Sequence, residues 1–168
     1  MRSASFGRGA VKGVAALSLA ALAPTPVLAQ ARTSETVLLS PDERARRGQE
    51  ELGYSDAVIA GDLVFLSGVV SWVQPGETGL TAAYERTWRT IAAILERAGS
   101  SPADVVEVTT FHTDVTAQIR DYAAVQRRVL GSPPPAWTAI DVDRLLPDDG
   151  ITEVRVIARR RSAGPSAN

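Results

Sequence analysis

The pattern of apolar and polar positions over residues 54–161 predicts alternating strands and helices. The run "YSDAVIAGDLVFLSGVVSWV" holds two β-rich stretches separated by Gly61-Asp62, and glycine accepts the positive φ of a tight hairpin turn. The run "LTAAYERTWRTIAAILERAGS" places apolar residues three or four apart, starts near Thr81 and stops at Gly99. These patterns predict a β-hairpin followed by an amphipathic helix.

The second half of this region continues the alternation. The segment "ADVVEVTTFHTDV" is rich in β-branched residues and predicts a strand, whereas "AQIRDYAAVQRRVLG" returns to helical spacing and ends at Gly131. Two further alternating strands follow, "AWTAIDVDRL" and "ITEVRVIARR". The order β-β-α-β-α-β-β, with both helices on one side of a mixed sheet, predicts an α+β two-layer sandwich.

Both faces of the predicted sheet are apolar. One face is expected to carry Val64, Leu66, Val106, Val108, Val154 and Val156, and the other Phe65, Phe111, Ile151 and Ile157. An apolar second face of this size is unfavourable when it is exposed to water. We therefore expect an oligomer that buries it.

The first 29 residues are typical of an export signal. A basic segment with Arg2, Arg8 and Lys12 precedes the apolar run "GVAALSLAALA" and the small-residue exit "TPVLAQA". A transmembrane anchor is the alternative, but a span needs about 20 apolar residues and two prolines follow this shorter run. We expect cleavage, a periplasmic or secreted protein, and no membrane attachment afterwards.

The remaining boundaries follow from composition. Residues 30–52 form a polar linker or arm, predicted as a short strand near Val37–Leu39 and then a solvated connector or helical turn. The folded domain is predicted over 53–161, and the tail 162–168 is disordered in composition.

Composition narrows the chemistry. The chain has no cysteine and one histidine, which excludes thiol catalysis, disulfides and a multi-histidine zinc site. No glycine-rich phosphate loop, nucleophile elbow or His-Glu-x-x-His pattern is present in the sequence, so we expect no metal and no cofactor. Cleavage would remove three basic and no acidic residues, taking the net charge from −1 to −4 and removing the only lysine. A protein with that net negative charge has little electrostatic attraction for nucleic acid, so we expect no nucleic-acid partner.

Glu153 is the strongest candidate for chemistry. It lies in the apolar strand "ITEVRVIA" and shares a strand face with Arg155, two positions on. A carboxylate in such a place needs a partner. It either forms a structural ion pair with Arg155 or positions water and accepts a proton, and the sequence leaves both open.

Three further positions stand out. His112, near a strand end, is a second-tier candidate, because a lone histidine there is more often hydrogen-bonded in place than a base. Trp137 starts a strand after "PPPA", where a large ring is as suited to lining a pocket as to filling a core. Ser67-Gly68 offers a hydroxyl group and an unobstructed backbone amide. Glycine inside a strand indicates that another group approaches the backbone closely at this point.

The motifs "GYSDAVIAGDLVFLSG", "AGSSPADVVEVTTFHTDV" and "PPAWTAIDVDRLLPDDGITEVRVIARR" resemble the Rid family, the RidA/YjgF-like reactive-intermediate (imine) deaminases. The resemblance covers about residues 53–161. It implies a chorismate-mutase-like α+β fold, a homotrimer whose sheets line a central barrel, and three small-molecule clefts between subunits.

The resemblance also implies site residues. In the deaminating members an arginine holds the carboxylate of a 2-imino acid and a last-strand glutamate positions water. The family's cleft positions are held here by Tyr54, Ser67, Gly68, Gln126, Thr138 and Glu153. Trp137 stands where the arginine is expected, so the carboxylate clamp is missing; Arg155 either restores a positive charge nearby or neutralises Glu153.

Two functions follow as expectations. The first is a trimer that binds a metabolite without efficient 2-imino acid deaminase activity. The second is a hydrolase acting on an imine- or enamine-type substrate of altered specificity. Some family members are labelled endoribonucleases, and the acidic mature chain makes that the third choice.

Overall fold

The computed structural model describes residues 32–161, so the predicted signal peptide and C-terminal tail lie outside the described residues. This part of the chain forms one seven-stranded mixed sheet and three α-helices. The strands are β1 (Val37–Leu38), β2 (Ala57–Ala60), β3 (Leu63–Leu66), β4 (Val69–Ser71), β5 (Val105–His112), β6 (Ala136–Asp141) and β7 (Thr152–Arg159). The helices are α1 (Glu43–Leu52), α2 (Thr81–Arg97) and α3 (Val115–Leu130). None of these helices combines the length and apolar character that a membrane crossing requires.

The sheet has the order β1-β2-β3-β7-β5-β6, with β4 also paired to β7. The β5–β6 pair is parallel and the other pairs are antiparallel. The predicted hairpin is confirmed: Ala60 pairs with Leu63, and Gly61 turns the chain at φ 62°. The second predicted strand differs from expectation, because Ser67-Gly68 interrupts it and divides it into β3 and β4.

The core lies between the sheet and the pair α2 and α3. The predicted apolar stripe of α2 is buried, with Trp88 and Ile91 almost fully enclosed. The rings of Tyr84 and Tyr122 meet edge to face, with centroids 5.3 Å apart. Each large apolar side chain enclosed in this way stabilises the fold by about 1.5–3 kcal/mol. The core side chains of the sheet include Val64, Leu66, Val108, Val154 and Val156.

The sheet face away from the core carries the other set of apolar side chains. Phe65, Phe111 and Ile157 are half-buried there, as the alternation predicts. Val106 was expected on the core face, but it is 40% exposed. The pairing of β5 with β7 shifts between Val105 and Glu107, and this bulge turns the intervening side chain away from the core. Burial of the second face in an oligomer stays a prediction.

The arm before the domain is more ordered than its composition indicates. A short strand is present as predicted, and α1 then runs for ten residues where a connector or single turn was expected. Asp42 caps α1 by accepting a hydrogen bond from the Ala45 amide. Gln49 is buried because its amide bridges the Ser40 nitrogen and the Asp56 carboxylate, which ties the arm to β2.

Candidate functional site

The break between β3 and β4 places Glu153 directly against Gly68. Val70 of β4 pairs with Glu153 of β7, so the carboxylate projects beside the interruption. A Cβ added at Gly68 would lie 1.6 Å from Glu153 Oε1 and 2.4 Å from its carboxyl carbon. The close approach expected from a glycine inside a strand is therefore the approach of this carboxylate.

The Glu153 carboxylate has no charged or hydrogen-bonding partner among the described residues. Its side chain forms no salt bridge with Arg155, so the structural ion pair left open by the sequence is not formed. Burial raises the pKa of the Glu153 carboxyl above its ordinary value. A half-buried carboxylate with free lone pairs and a raised pKa is suited to accept a proton from a bound ligand or water.

Five of the predicted site residues line one groove of about 1160 Å³: Tyr54, Ser67, Gly68, Glu153 and Arg155. Tyr54 lies just before β2 and leaves 48% of its surface exposed. Arg155 is exposed two residues beyond Glu153 on the same strand face. The groove thus joins the Glu153 carboxylate and the Arg155 guanidinium with an aromatic ring and the open backbone of Ser67-Gly68. Asp56 and Arg86 also line it, each already paired in a salt bridge.

Trp137 does not line this groove. Its indole nitrogen donates to Thr110 Oγ1 at 3.0 Å, and its ring lies 5.6 Å from the Tyr122 ring, between the sheet and α3. Of the two alternatives that the sequence left open, the single chain has the ring partly buried against the core; a role in lining a cleft between chains stays a prediction. The reason for the burial is strand alternation: Trp137 lies beside Val108 on the helix-covered face, whereas Glu153 lies on the opposite face.

His112 is fully buried in a hydrogen-bonded network. Its Nε2 lies 2.9 Å from Thr110 Oγ1, and its Nδ1 lies 3.2 Å from Gln118 Oε1. Because the Gln118 oxygen only accepts, its contact with Nδ1 requires the proton on Nδ1. Burial, opposed by the contact with Gln118, lowers the pKa of His112. His112 therefore holds Thr110, and through it Trp137, and does not enter the groove.

The two remaining predicted residues also lie away from the groove. Gln126 of α3 is buried, and its Oε1 has no hydrogen-bond partner within the described part of the chain. Thr138 is exposed on the sheet face opposite Trp137. It is in register with Thr109, which pairs with Arg155. Two strand spacings, about 10 Å, therefore separate Thr138 from Arg155.

Among the groove residues that sequence reasoning missed, two have large exposed apolar side chains. Trp72 follows β4 and is 45% exposed, and Leu146 in the loop before β7 is 79% exposed. The signal for Trp72 was a tryptophan directly before "VQPGE", a turn-forming segment. No comparable signal marks Leu146, because leucine in a loop carries no periodicity.

Known proteins resemble this chain in sequence. A family model described as Endoribonuclease L-PSP matches residues 47–160. The RutC family protein YjgH of Escherichia coli (strain K12) is 37% identical over 109 residues, which are 63% of this chain and 82% of that protein. The RutC family protein PYRAB12510 of Pyrococcus abyssi is 35% identical over 114 residues, which are 62% of this chain and 84% of that protein.

Solved structures resemble its fold. Rv2704 from Mycobacterium tuberculosis, a member of the YjgF/YER057c/UK114 family, matches with a TM-score of 0.63 and 26% identity, covering 74% of this chain and 98% of that one. A structure of protein YjgH matches with a TM-score of 0.62 and 32% identity, covering 77% and 96%. These likenesses confirm the predicted chorismate-mutase-like α+β fold.

Proposed function

This chain belongs to the Endoribonuclease L-PSP family of YjgF/RidA-like proteins, and from that premise we propose that it binds a small metabolite and lacks efficient 2-imino acid deaminase activity. The observation that carries the proposal is the groove around Glu153, where a carboxylate that has no partner within residues 32–161 lies over Gly68. Such convergence of a few polar groups in an open apolar cleft is typical of ligand sites.

The missing clamp is the reason to expect poor deamination. In the deaminating relatives that this chain resembles, a guanidinium grips the substrate carboxylate. Trp137 takes that position and its only polar atom is bound to Thr110. Losing a bidentate, charge-assisted contact in a desolvated cleft lowers turnover of an anionic substrate by about a hundredfold or more.

The complete cleft is proposed to lie between subunits. One half is the groove with Tyr54, Ser67, Gly68 and Glu153, and the other is the edge near β6 with Trp137 and its neighbours. Trp137 projects from the opposite sheet face to Glu153, and Thr138 lies two strands, about 10 Å, from Arg155, so a single chain does not join the two halves. A homotrimer of the kind implied by the family resemblance would bring one chain's groove to the next chain's edge. Gln126 Oε1, which is buried and has no hydrogen-bond donor among residues 32–161, is the acceptor that such a neighbour or its ligand would satisfy.

A hydrolase of altered specificity is the second candidate, and the raised pKa of Glu153 favours it. The carboxylate would hold a water molecule that adds to an imine carbon and would take its proton. Transfer of that proton to nitrogen gives a carbinolamine. Its hydroxyl proton then passes to nitrogen as the C–N bond breaks and the C=O bond forms, which gives a carbonyl compound and ammonia. In this reaction the groove would position the substrate and the water, and the Glu153 carboxylate would act as the base.

Export to the periplasm or outside the cell is part of the proposal and is supported by the pattern of residues 1–29. Ribonuclease activity, which the family description names, is the third candidate. The net charge of −1, or −4 after the proposed cleavage, gives little attraction for a phosphate backbone.

Ammonia release from 2-imino acids generated in situ tests these alternatives. We expect the wild type to match the buffer rate, Trp137→Arg to gain release, and Trp137→Arg combined with Glu153→Gln to lose it again. The matched control is Glu96→Gln, an exposed carboxylate on α2 outside the groove. Release by the wild type that Glu153→Gln abolishes and Glu96→Gln preserves would establish the hydrolase instead.

A further inference from the structure

Trp72 presents an exposed indole at one end of the groove. It lies one residue beyond β4, and the exposed Leu146 and its neighbour Pro147 line the same groove. A tryptophan that leaves nearly half of its surface in water forgoes a large burial energy. Where exposed apolar groups gather in a cleft, they mark a contact with another molecule.

The segment that carries Trp72 is fixed in place. Arg86 of α2 forms a salt bridge with Glu77 and donates from Nη2 to the Trp72 carbonyl at 2.7 Å. The Glu77 carboxylate in turn accepts from the Gln74 amide at 2.7 Å. A double contact from one guanidinium to both ends of a short loop restrains it, so the backbone that carries the indole is held in place before any ligand arrives.

Strand register sets the spacing of the chemical groups along β7. Ser71 pairs with Thr152, so Trp72 lies level with Ile151, the residue before β7. Along the strand, Glu153 lies between this level and Arg155. Four residues at about 3.3 Å each give roughly 13 Å from that level to Arg155. The Arg155 guanidinium lies within 4.0 Å of no carboxylate of the described chain.

We propose that the groove binds an elongated organic anion, with an aromatic ring against Trp72, its anionic group at Arg155 and its middle beside Glu153. This rests on the proposed small-molecule function and names the class of ligand. The positive charge at one end and the indole at the other select against short 2-imino acids, which cannot reach both. Arg155 and Trp72 are thereby specificity residues of the groove.

The test is a titration of the 15N-labelled full chain with 4-phenylbutyrate, following the Gly68 amide. Butyrate lacks the ring and 4-phenylbutan-1-ol lacks the charge, so each removes one proposed contact. The variants are Trp72→Ala, Trp72→Phe and Arg155→Gln, with the exposed Arg127→Gln on α3 as the control. Circular dichroism of each variant verifies its fold.

We expect 4-phenylbutyrate to bind at least tenfold more tightly than either truncated probe. Trp72→Ala and Arg155→Gln should each weaken it by about tenfold, one such step being about 1.4 kcal/mol, while Trp72→Phe and Arg127→Gln change it less than threefold. Equal binding of all three probes, or indifference to both variants, overturns the inference but leaves the small-molecule function standing. If no probe shifts Gly68 while the Trp72 indole becomes shielded from acrylamide quenching as protein concentration rises, the surface contacts a second copy and the inference fails.

Discussion

Replacing Gly68 with alanine perturbs the contact on which the site depends. An added Cβ would lie 1.6 Å from Glu153 Oε1, 2.4 Å from its carboxyl carbon and 2.6 Å from its Cγ. Carbon and oxygen atoms rest at about 3.5 Å, so the carboxylate must retreat by roughly 2 Å. The obstacle is the far end of a flexible side chain, so we expect an unfolding free energy lower by about 1–3 kcal/mol and a folded protein.

The functional consequence of Gly68→Ala should be larger than its effect on stability. A displacement of this size removes Glu153 from any position suited to a bound water, and misplacement by about 1 Å costs roughly a hundredfold in rate. The Trp137→Arg background supplies the rate to be lost, since the wild type is expected to be inactive. A carboxylate moved toward solvent also loses the burial that raises its pKa, so the pKa should fall toward the ordinary value.

The assay is a 13C-detected pH titration of the Glu153 carboxyl carbon in wild type and Gly68→Ala. Gly48→Ala is the matched control, because Gly48 lies in α1 with no atom within 4 Å of an added Cβ and should only gain about 0.5–1 kcal/mol from helix propensity. A Glu153 pKa that is unchanged by Gly68→Ala, together with undiminished ammonia release in the Trp137→Arg background, would refute the proposed packing of carboxylate on glycine.

Three further predictions concern stability. Because burial raises the pKa of Glu153, its carboxyl binds a proton more tightly in the folded state than in the unfolded chain. The free energy of unfolding therefore falls as pH rises through that pKa. In urea unfolding, Glu153→Gln should be more stable than wild type at pH 7, and its advantage should be smaller at pH 4. His112 has the opposite sign: burial lowers its pKa, so stability is lost as pH falls below about 6.5, and His112→Asn should show a flatter pH profile between 6.5 and 5. Thr110→Val leaves His112 Nε2 and the Trp137 indole N–H without their partner and should cost about 2 kcal/mol or more, whereas the exposed Thr138→Val should change stability by less than about 0.5 kcal/mol; equal effects of these two variants would argue against the network.

The sequence predicted those features that depend on local periodicity. The hairpin at Gly61 and the buried stripe of α2 follow from spacing within about twenty residues, and both are present. Gly68 and Glu153 were each singled out, but their contact joins positions far apart in the chain and depends on the register of β4 with β7. No local pattern encodes that register.

Other features escaped prediction for related reasons. A bulge turned Val106 outward, since one extra residue reverses the face of a strand. The position of Trp137 depends on which face its strand buries and on a hydrogen bond to Thr110, a residue in a different strand. Helix α1 is tied to the domain by hydrogen bonds of Gln49 with Ser40 and Asp56. The charge-rich sequence of the helix gives no signal of these contacts.

The central claim is that two halves of a ligand cleft, separated in one chain, meet between copies. Its most direct test is the distance from the Glu153 carboxylate of one chain to Gln126 of the next in a crystal structure of the assembled protein with 4-phenylbutyrate bound. We predict a separation within the span of a small ligand, about 10 Å, with the ligand between the two chains. A monomer, or an assembly that leaves Gln126 on the far side of the sheet from every Glu153, would contradict the account.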